Sequence, residues 1–171
     1  MLKENFEGWQ ILGDAEWRFD RNQLIGTVTN SVGFVMTEDR YSDFILELKL
    51  QPDSSSSSSS NSGIYIRCQN QKLNVTDCYE INGWDLHPNR DFRTGAIVTS
   101  SISLSYEETI SKWSSYKIQI QGDHLQTWIN NIPTADLKYS GLTAGYIALQ
   151  AMGTGEVHFR NVKFQSLSAD N

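Results

Sequence analysis

The chain has 171 residues, 39% of them hydrophobic, and its 14 Lys and Arg against 20 Asp and Glu leave a formal charge of -6. This length suits one domain with its own core. The acidic balance offers no basic stripe for nucleic acid, and no apolar run is long enough to cross a bilayer. Five Trp, seven Tyr and seven Phe supply the core-building area that a disordered chain lacks.

In chain order, short strands are expected at 17–20, 24–28 and 33–37. The clearest strand is 43–51, where Phe44, Leu46, Leu48 and Leu50 fall on one face and Glu47, Lys49 and Gln51 on the other. Strands at 63–68 and 78–82 come next. A hairpin of 116–121 and 124–129 turns at Gly122-Asp123, and 145–152 and 156–167 close the series. Only Tyr106, Ile110 and Trp113 carry a helical spacing, enough for about one turn. Many strands with one apolar face each imply two antiparallel sheets packed face to face, an all-β sandwich. Residues 1–171 read as one such domain. Seven consecutive serines, 54–60, have nothing to bury, so a flexible Ser-rich loop is expected at 53–61.

The two cysteines match no zinc spacing. Strand alternation puts Cys68 with Ile64 and Ile66, and Cys78 with Glu80. Regular strands would therefore point the two sulfurs apart. No secretory leader is visible, since Met1-Leu2-Lys3-Glu4 runs straight into Phe6 and Trp9.

One series of residues carries a resemblance. It runs Phe6-x-x-Trp9, Trp17, Leu24-x-Gly26, Thr37, Tyr41-x-Asp43-Phe44, Asn61-Ser62-Gly63-Ile64-x-x-Arg67 and Tyr79-Glu80. It continues through Thr94-Gly95-Ala96, Trp113, Leu149-Gln150 and Val157-x-Phe159-Arg160-Asn161-Val162. In order and spacing this resembles the 3-keto-disaccharide hydrolase domain family across nearly the whole chain. The resemblance implies a concanavalin A-like jelly-roll β-sandwich. It also implies a carbohydrate ligand, an oxidised di- or oligosaccharide ketonic at carbon 3, and a periplasmic or extracellular setting. Three positions depart from the family pattern. Met152 stands where the family carries His, Val98 where it carries Tyr, and Asn82 where it carries Gln.

A ketone at carbon 3 acidifies the proton on carbon 2, so a base can remove it and the enolate can expel the substituent on carbon 1. That chemistry needs a base and something to hold the oxyanion, a cation or a divalent metal ion. Alternation places Tyr65 and Arg67 opposite Ile64 and Ile66, and Glu80 and Asn82 opposite Tyr79 and Ile81. Arg67, Glu80 and Asn82 are therefore expected on one surface, completed by Gln150. Glu80 is the expected base or metal ligand, with Asp85 and His87 as other catalytic candidates. Arg67 would face the oxyanion or a hydroxyl. Tyr65 and Trp84 are expected to stack on sugar rings, and Trp128 to be either a sugar platform or a cover for the sandwich edge. The bland alternative is a solvated Arg67–Glu80 ion pair. A non-catalytic carbohydrate-binding module would use the same face. A β-glucanase-like hydrolase would instead pair Glu80 with Asp85 through a bulge at Gly83.

Overall fold

The computed structural model describes residues 2–53, 61–139 and 141–167, so residues 54–60 of the expected serine loop lie outside the described residues. Ten strands succeed one another: β1 (Trp9–Gly13), β2 (Glu16–Asp20), β3 (Gln23–Thr37), β4 (Phe44–Pro52), β5 (Asn61–Cys68), β6 (Tyr79–Gly83), β7 (Ser114–Gln121), β8 (His124–Ile129), β9 (Ile132–Lys138) and β10 (Tyr146–Ser166). The helical spacing at 106–113 forms no helix. Among the described residues the helical structure is a single 3-10 turn, Arg90–Phe92.

Every strand pairing is antiparallel, and two long strands build both layers. The first half of β10 pairs with the second half of β3 and with β5. Its second half pairs with the first half of β3 and with β4. The front sheet is thus β1-β3-β10-β5-β6 and the back sheet β2-β3-β10-β4-β7-β8-β9. The crossing point is a bulge, where Gly153 pairs with Ser31, Thr154 pairs with Thr29, and Asn30 is left over at φ 48°. Bulges bend and twist a strand, which carries both chains from one layer to the other. Sequence periodicity resolves each long strand as two, one on either side of this bend.

Alternation decides which side chains meet between the layers. Phe44, Leu46, Leu48 and Leu50 of β4 and Tyr116, Ile118 and Ile120 of β7 point inward from the back sheet. Val35, Ile64, Ile66, Ile81 and Leu149 point inward from the front sheet. The result is the all-β, antiparallel jelly-roll sandwich that the sequence implied. Strands β5 and β6 are buried on both faces. Part of the reason is that 94–98 runs against β6: the Asn82 N–H donates to Ala96 O, and the Val98 N–H donates to Glu80 O.

Candidate functional site

The shared Arg67–Glu80 surface expected from alternation is not formed, and one irregularity explains why. Cys68 pairs with Tyr146 and Tyr65 with Ala148, so Ile66 and Arg67 together oppose Ile147 alone. Arg67 sits at φ 50°, and this two-against-one bulge reverses the parity of the residues beyond it. The Arg67 side chain leaves the Tyr65 face and becomes 1% exposed. Its guanidinium donates to the carbonyl oxygens of Ser42 (3.0 Å), Gly122 (2.8 Å) and Leu142 (2.7 Å) and to Asp43 Oδ1 (2.9 Å). Burial lowers the pKa of Arg67, while the Asp43 carboxylate opposes that shift. Arg67 is therefore a clasp between the start of β4, the β7–β8 turn and the segment before β10. The same bulge swings Cys68 to the side of Cys78, and the two form a disulfide, contrary to the parity expectation.

On the outer face of the front sheet, the remaining expected residues do converge. Tyr65 pairs with Glu80 across β5 and β6, and Gly63 lies between Asn82 on one side and Gln150 on the other. Gly63 has no side chain to fill the space above it. A methyl group there would sit 3.0 Å from Glu80 Oε1, 3.3 Å from the Tyr65 ring and 3.4 Å from Gln150 Oε1. Gln150 Nε2 donates to the Tyr65 hydroxyl at 3.0 Å, and Tyr65 in turn hydrogen-bonds Glu80. Burial pushes the Glu80 carboxyl above its usual range, with the Tyr65 hydrogen bond pulling the other way. Burial and the neighbouring Glu80 also raise the Tyr65 phenol, so it stays a hydroxyl donor.

Three buried acceptors on this face have no protein partner, Gln150 Oε1, Asn82 Oδ1 and Asn61 Oδ1. Buried polar atoms are normally satisfied, so these orphans, with Gln150 Oε1 facing the same Gly63 position as Glu80 Oε1, mark a place for ligand or water. Asn61 is a residue that sequence reasoning missed. Its signal was present, because 61, 63 and 65 share one strand face. Its Nδ2 contacts Met152 Sδ at 3.5 Å, so the thioether lies in the same wall.

The other candidates make structural contacts, and all but Asn82 lie elsewhere. Asn82 keeps the expected face, but its Nδ2 donates to Phe92 O at 2.6 Å, tying down the 3-10 turn. Strand β6 ends at Gly83, and Asp85 belongs to the turn after it. Its Oδ1 accepts from the hydroxyls of Thr94 and Thr109, and its Oδ2 from the N–H groups of Thr109 and Ile110. Asp85 is a loop staple, so no bulge brings it beside Glu80 as a second glycosidase carboxylate. His87 accepts the Asn89 N–H on Nδ1 and packs its ring edge-on to Trp84, 4.9 Å between centroids. That stacking fixes Trp84 in the turn after β6. Trp128 is on the back sheet's outer face, across the sandwich from Glu80. Among the described residues no three His, Cys, Asp or Glu side chains gather for a metal ion. One carboxyl with neutral amide oxygens is a sparse set, though of the all-oxygen kind a hard divalent cation accepts, so such an ion would have to complete its shell with ligand or water oxygens.

Residues 3–165 match the 3-keto-alpha-glucoside-1,2-lyase-like domain family, and the chain belongs to it. No curated protein matches the chain. Among solved structures it is similar to a Parabacteroides distasonis ATCC 8503 protein named "putative glycosyl hydrolase", with 20% identity, 97% of each chain covered and a TM-score of 0.79. It is also similar to the Bacillus subtilis carbohydrate binding module CBM66, with 17% identity, 93% of this chain and 96% of that one covered, and a TM-score of 0.71. The exoplasmic/lumenal domain of VIP36, in its Ca2+/Man3GlcNAc-bound form, shares 10% identity over 96% of this chain and 86% of its own, with a TM-score of 0.69. At these identities the likeness is one of fold.

Proposed function

We propose that this member of the 3-keto-alpha-glucoside-1,2-lyase-like family is a saccharide-binding protein whose ligand sits over Gly63, between Glu80, Tyr65, Gln150 and Asn61. The observation that carries the reading is the orphaned buried acceptor Gln150 Oε1, which faces the space above Gly63 together with the buried Glu80 carboxyl, with Asn61 Oδ1 a second orphan farther along the same face. Sugar hydroxyls supply the donors these atoms lack, and a site built to hydrogen-bond a hydroxyl discriminates strongly against analogues without it. The carbohydrate-binding fold relatives support the same class of ligand. Calorimetric titration with glucosides and their 3-keto derivatives tests the reading. Binding should weaken at least tenfold in Gln150→Ala. Wild-type protein that binds neither set would overturn it.

Family membership favours a second, finer reading, in which the site also turns the ligand over. Glu80 would take the proton from carbon 2 of a 3-keto-glycoside, and the electrons of that C–H bond would pass into the enolate. The enolate then forms the C1–C2 double bond as the C1–O bond breaks, and the departing alcohol recovers a proton. Water adding across the new double bond would complete a net hydrolysis. A carboxyl raised by burial is a better proton acceptor than an ordinary glutamate. With Arg67 clasped away from this face, the Tyr65 hydroxyl is the donor at hand for the enolate oxygen. Mass spectrometry of a 3-keto-disaccharide incubation would detect the unsaturated sugar. Glu80→Gln should abolish product while keeping ligand affinity, and equal product from wild type and variant would end this reading. The Cys68–Cys78 disulfide supports a periplasmic or extracellular setting, which thiol labelling of the protein in cells would check.

A further inference from the structure

The back sheet carries a second cluster on its outer face, remote from Glu80. Lys163 of β10 pairs with Glu47 of β4, Glu47 with Lys117 of β7, and Lys117 with Trp128 of β8. These four side chains form one row across four strands, roughly 14 Å at the usual strand spacing. Lys49 stands in the adjacent row, paired with Ser115. Together these residues line a shallow hollow of about 170 Å³.

Two features set this hollow apart from an ordinary solvated sheet. The first is charge. Lys49, Lys117 and Lys163 face a single carboxylate, Glu47, although the whole chain is acidic at -6. Among the described residues none of the three ammonium groups has a carboxylate within ion-pair distance. Glu47 stands between Lys163 and Lys117 and offsets one of the three ammonium groups, so the cluster keeps a net charge of +2 that suits an anionic ligand. The second is shape. Trp128 is half-buried with the Lys117 ammonium 4.9 Å from its ring centroid. Two asparagines at left-handed positions, Asn131 (φ 67°) in the β8–β9 turn and Asn161 (φ 55°) in a β10 bulge, bring amides to the rim. An indole face suits the C–H surface of a sugar ring, amides suit its hydroxyls, and the lysines suit an anionic substituent.

We propose that this hollow is a second saccharide site, selective for sugars that bear a carboxylate or a sulfate. The test is a two-dimensional NMR titration monitoring the five tryptophan indole signals, with Trp128→Phe used to assign one of them. The probes are an oligogalacturonate, a sulfated oligosaccharide, a neutral galactose oligomer and inorganic sulfate. The Trp128 signal should move with the first two probes. Affinity should fall at least tenfold in Lys117→Gln/Lys163→Gln and with added salt. Glu80→Gln should leave this binding unchanged, which separates it from the front-sheet site. Uronate and sulfate specificity are distinguished by which acidic probe binds tighter. A Trp128 signal that ignores both acidic probes, or that responds equally to the neutral oligomer or to inorganic sulfate alone, overturns the proposal. Unmoved signals from the other four tryptophans confirm that the lysine variant is folded.

Discussion

Replacing Arg67 by methionine separates a clasp from a substrate contact. The side chain is 1% exposed, and its guanidinium holds three carbonyl oxygens and Asp43 Oδ1 at 2.7–3.0 Å. Methionine fills most of the volume but leaves those acceptors without donors. Breaking a buried ion pair from one side costs about 3–5 kcal/mol. The lower end is expected, because the Asp43 side chain remains 21% exposed and water can reach it. In a domain of this size 1 kcal/mol shifts the midpoint by about 2–4 °C, so Tm should fall by about 6–12 °C. Arg67→Lys should recover only part of this, since an ammonium cannot copy the planar fork. Thermal and urea unfolding monitored by circular dichroism measure both variants. A loss under about 1 kcal/mol, together with lost saccharide binding, would show that Arg67 reaches the ligand and that the clasp argument is wrong.

Gly63→Ala introduces the one methyl group that would crowd Glu80 Oε1 at 3.0 Å, so ligand affinity should drop at least tenfold while Tm changes little; calorimetry paired with a melting curve checks both. Cys68→Ser/Cys78→Ser opens a loop with a sequence separation of 10, for which chain entropy gives a loss of about 2–3 kcal/mol, read from denaturant midpoints. Glu80 has a native pKa raised above its reference of 4.5, so the folded state holds the proton more tightly. Wild-type stability should therefore fall as pH climbs from that value through the raised one. Glu80→Gln should lack that fall, so the stability difference moves in the variant's favour as pH rises above 4.5. In Asp85→Asn the amide oxygen can still accept from the Thr109 and Ile110 N–H groups while its NH2 turns the Thr94 and Thr109 hydroxyls into acceptors, so only the strengthening from charge is lost; a loss of about 1–2 kcal/mol is expected in the same unfolding assay.

The same rule of alternation accounts both for the features legible in the sequence and for those hidden from it. Where strands are regular, as along β4 or β7–β8, period two placed the inward leucines and isoleucines and put Trp128 on the polar side correctly. It also gathered Glu80, Tyr65 and Gln150. The rule failed at Arg67 and Cys68, because one surplus residue at 66–67 inverts every position after it, and a left-handed arginine carries no composition signal. Strand β1 was missed because its Trp9-Gln10-Ile11-Leu12-Gly13 run lacks clean alternation. Strand β9 was missed because Pro133 marks it as an edge. Asp85 was misjudged for a different reason: its partners Thr94 and Thr109 are joined to it by loop conformation, which spacing does not report.

Strand β10 stands in the middle of both sheets, yet it comes after the other nine in the chain. A nascent polypeptide that has delivered β1 to β9 therefore holds two half-built layers. In those layers β3, β4 and β5 offer unpaired backbone to any strand that arrives first. Closure waits for a segment that must pair with all three at long sequence separation, a slow kind of event for β topologies. Until it pairs, those three strand edges are the surface most open to wrong partners.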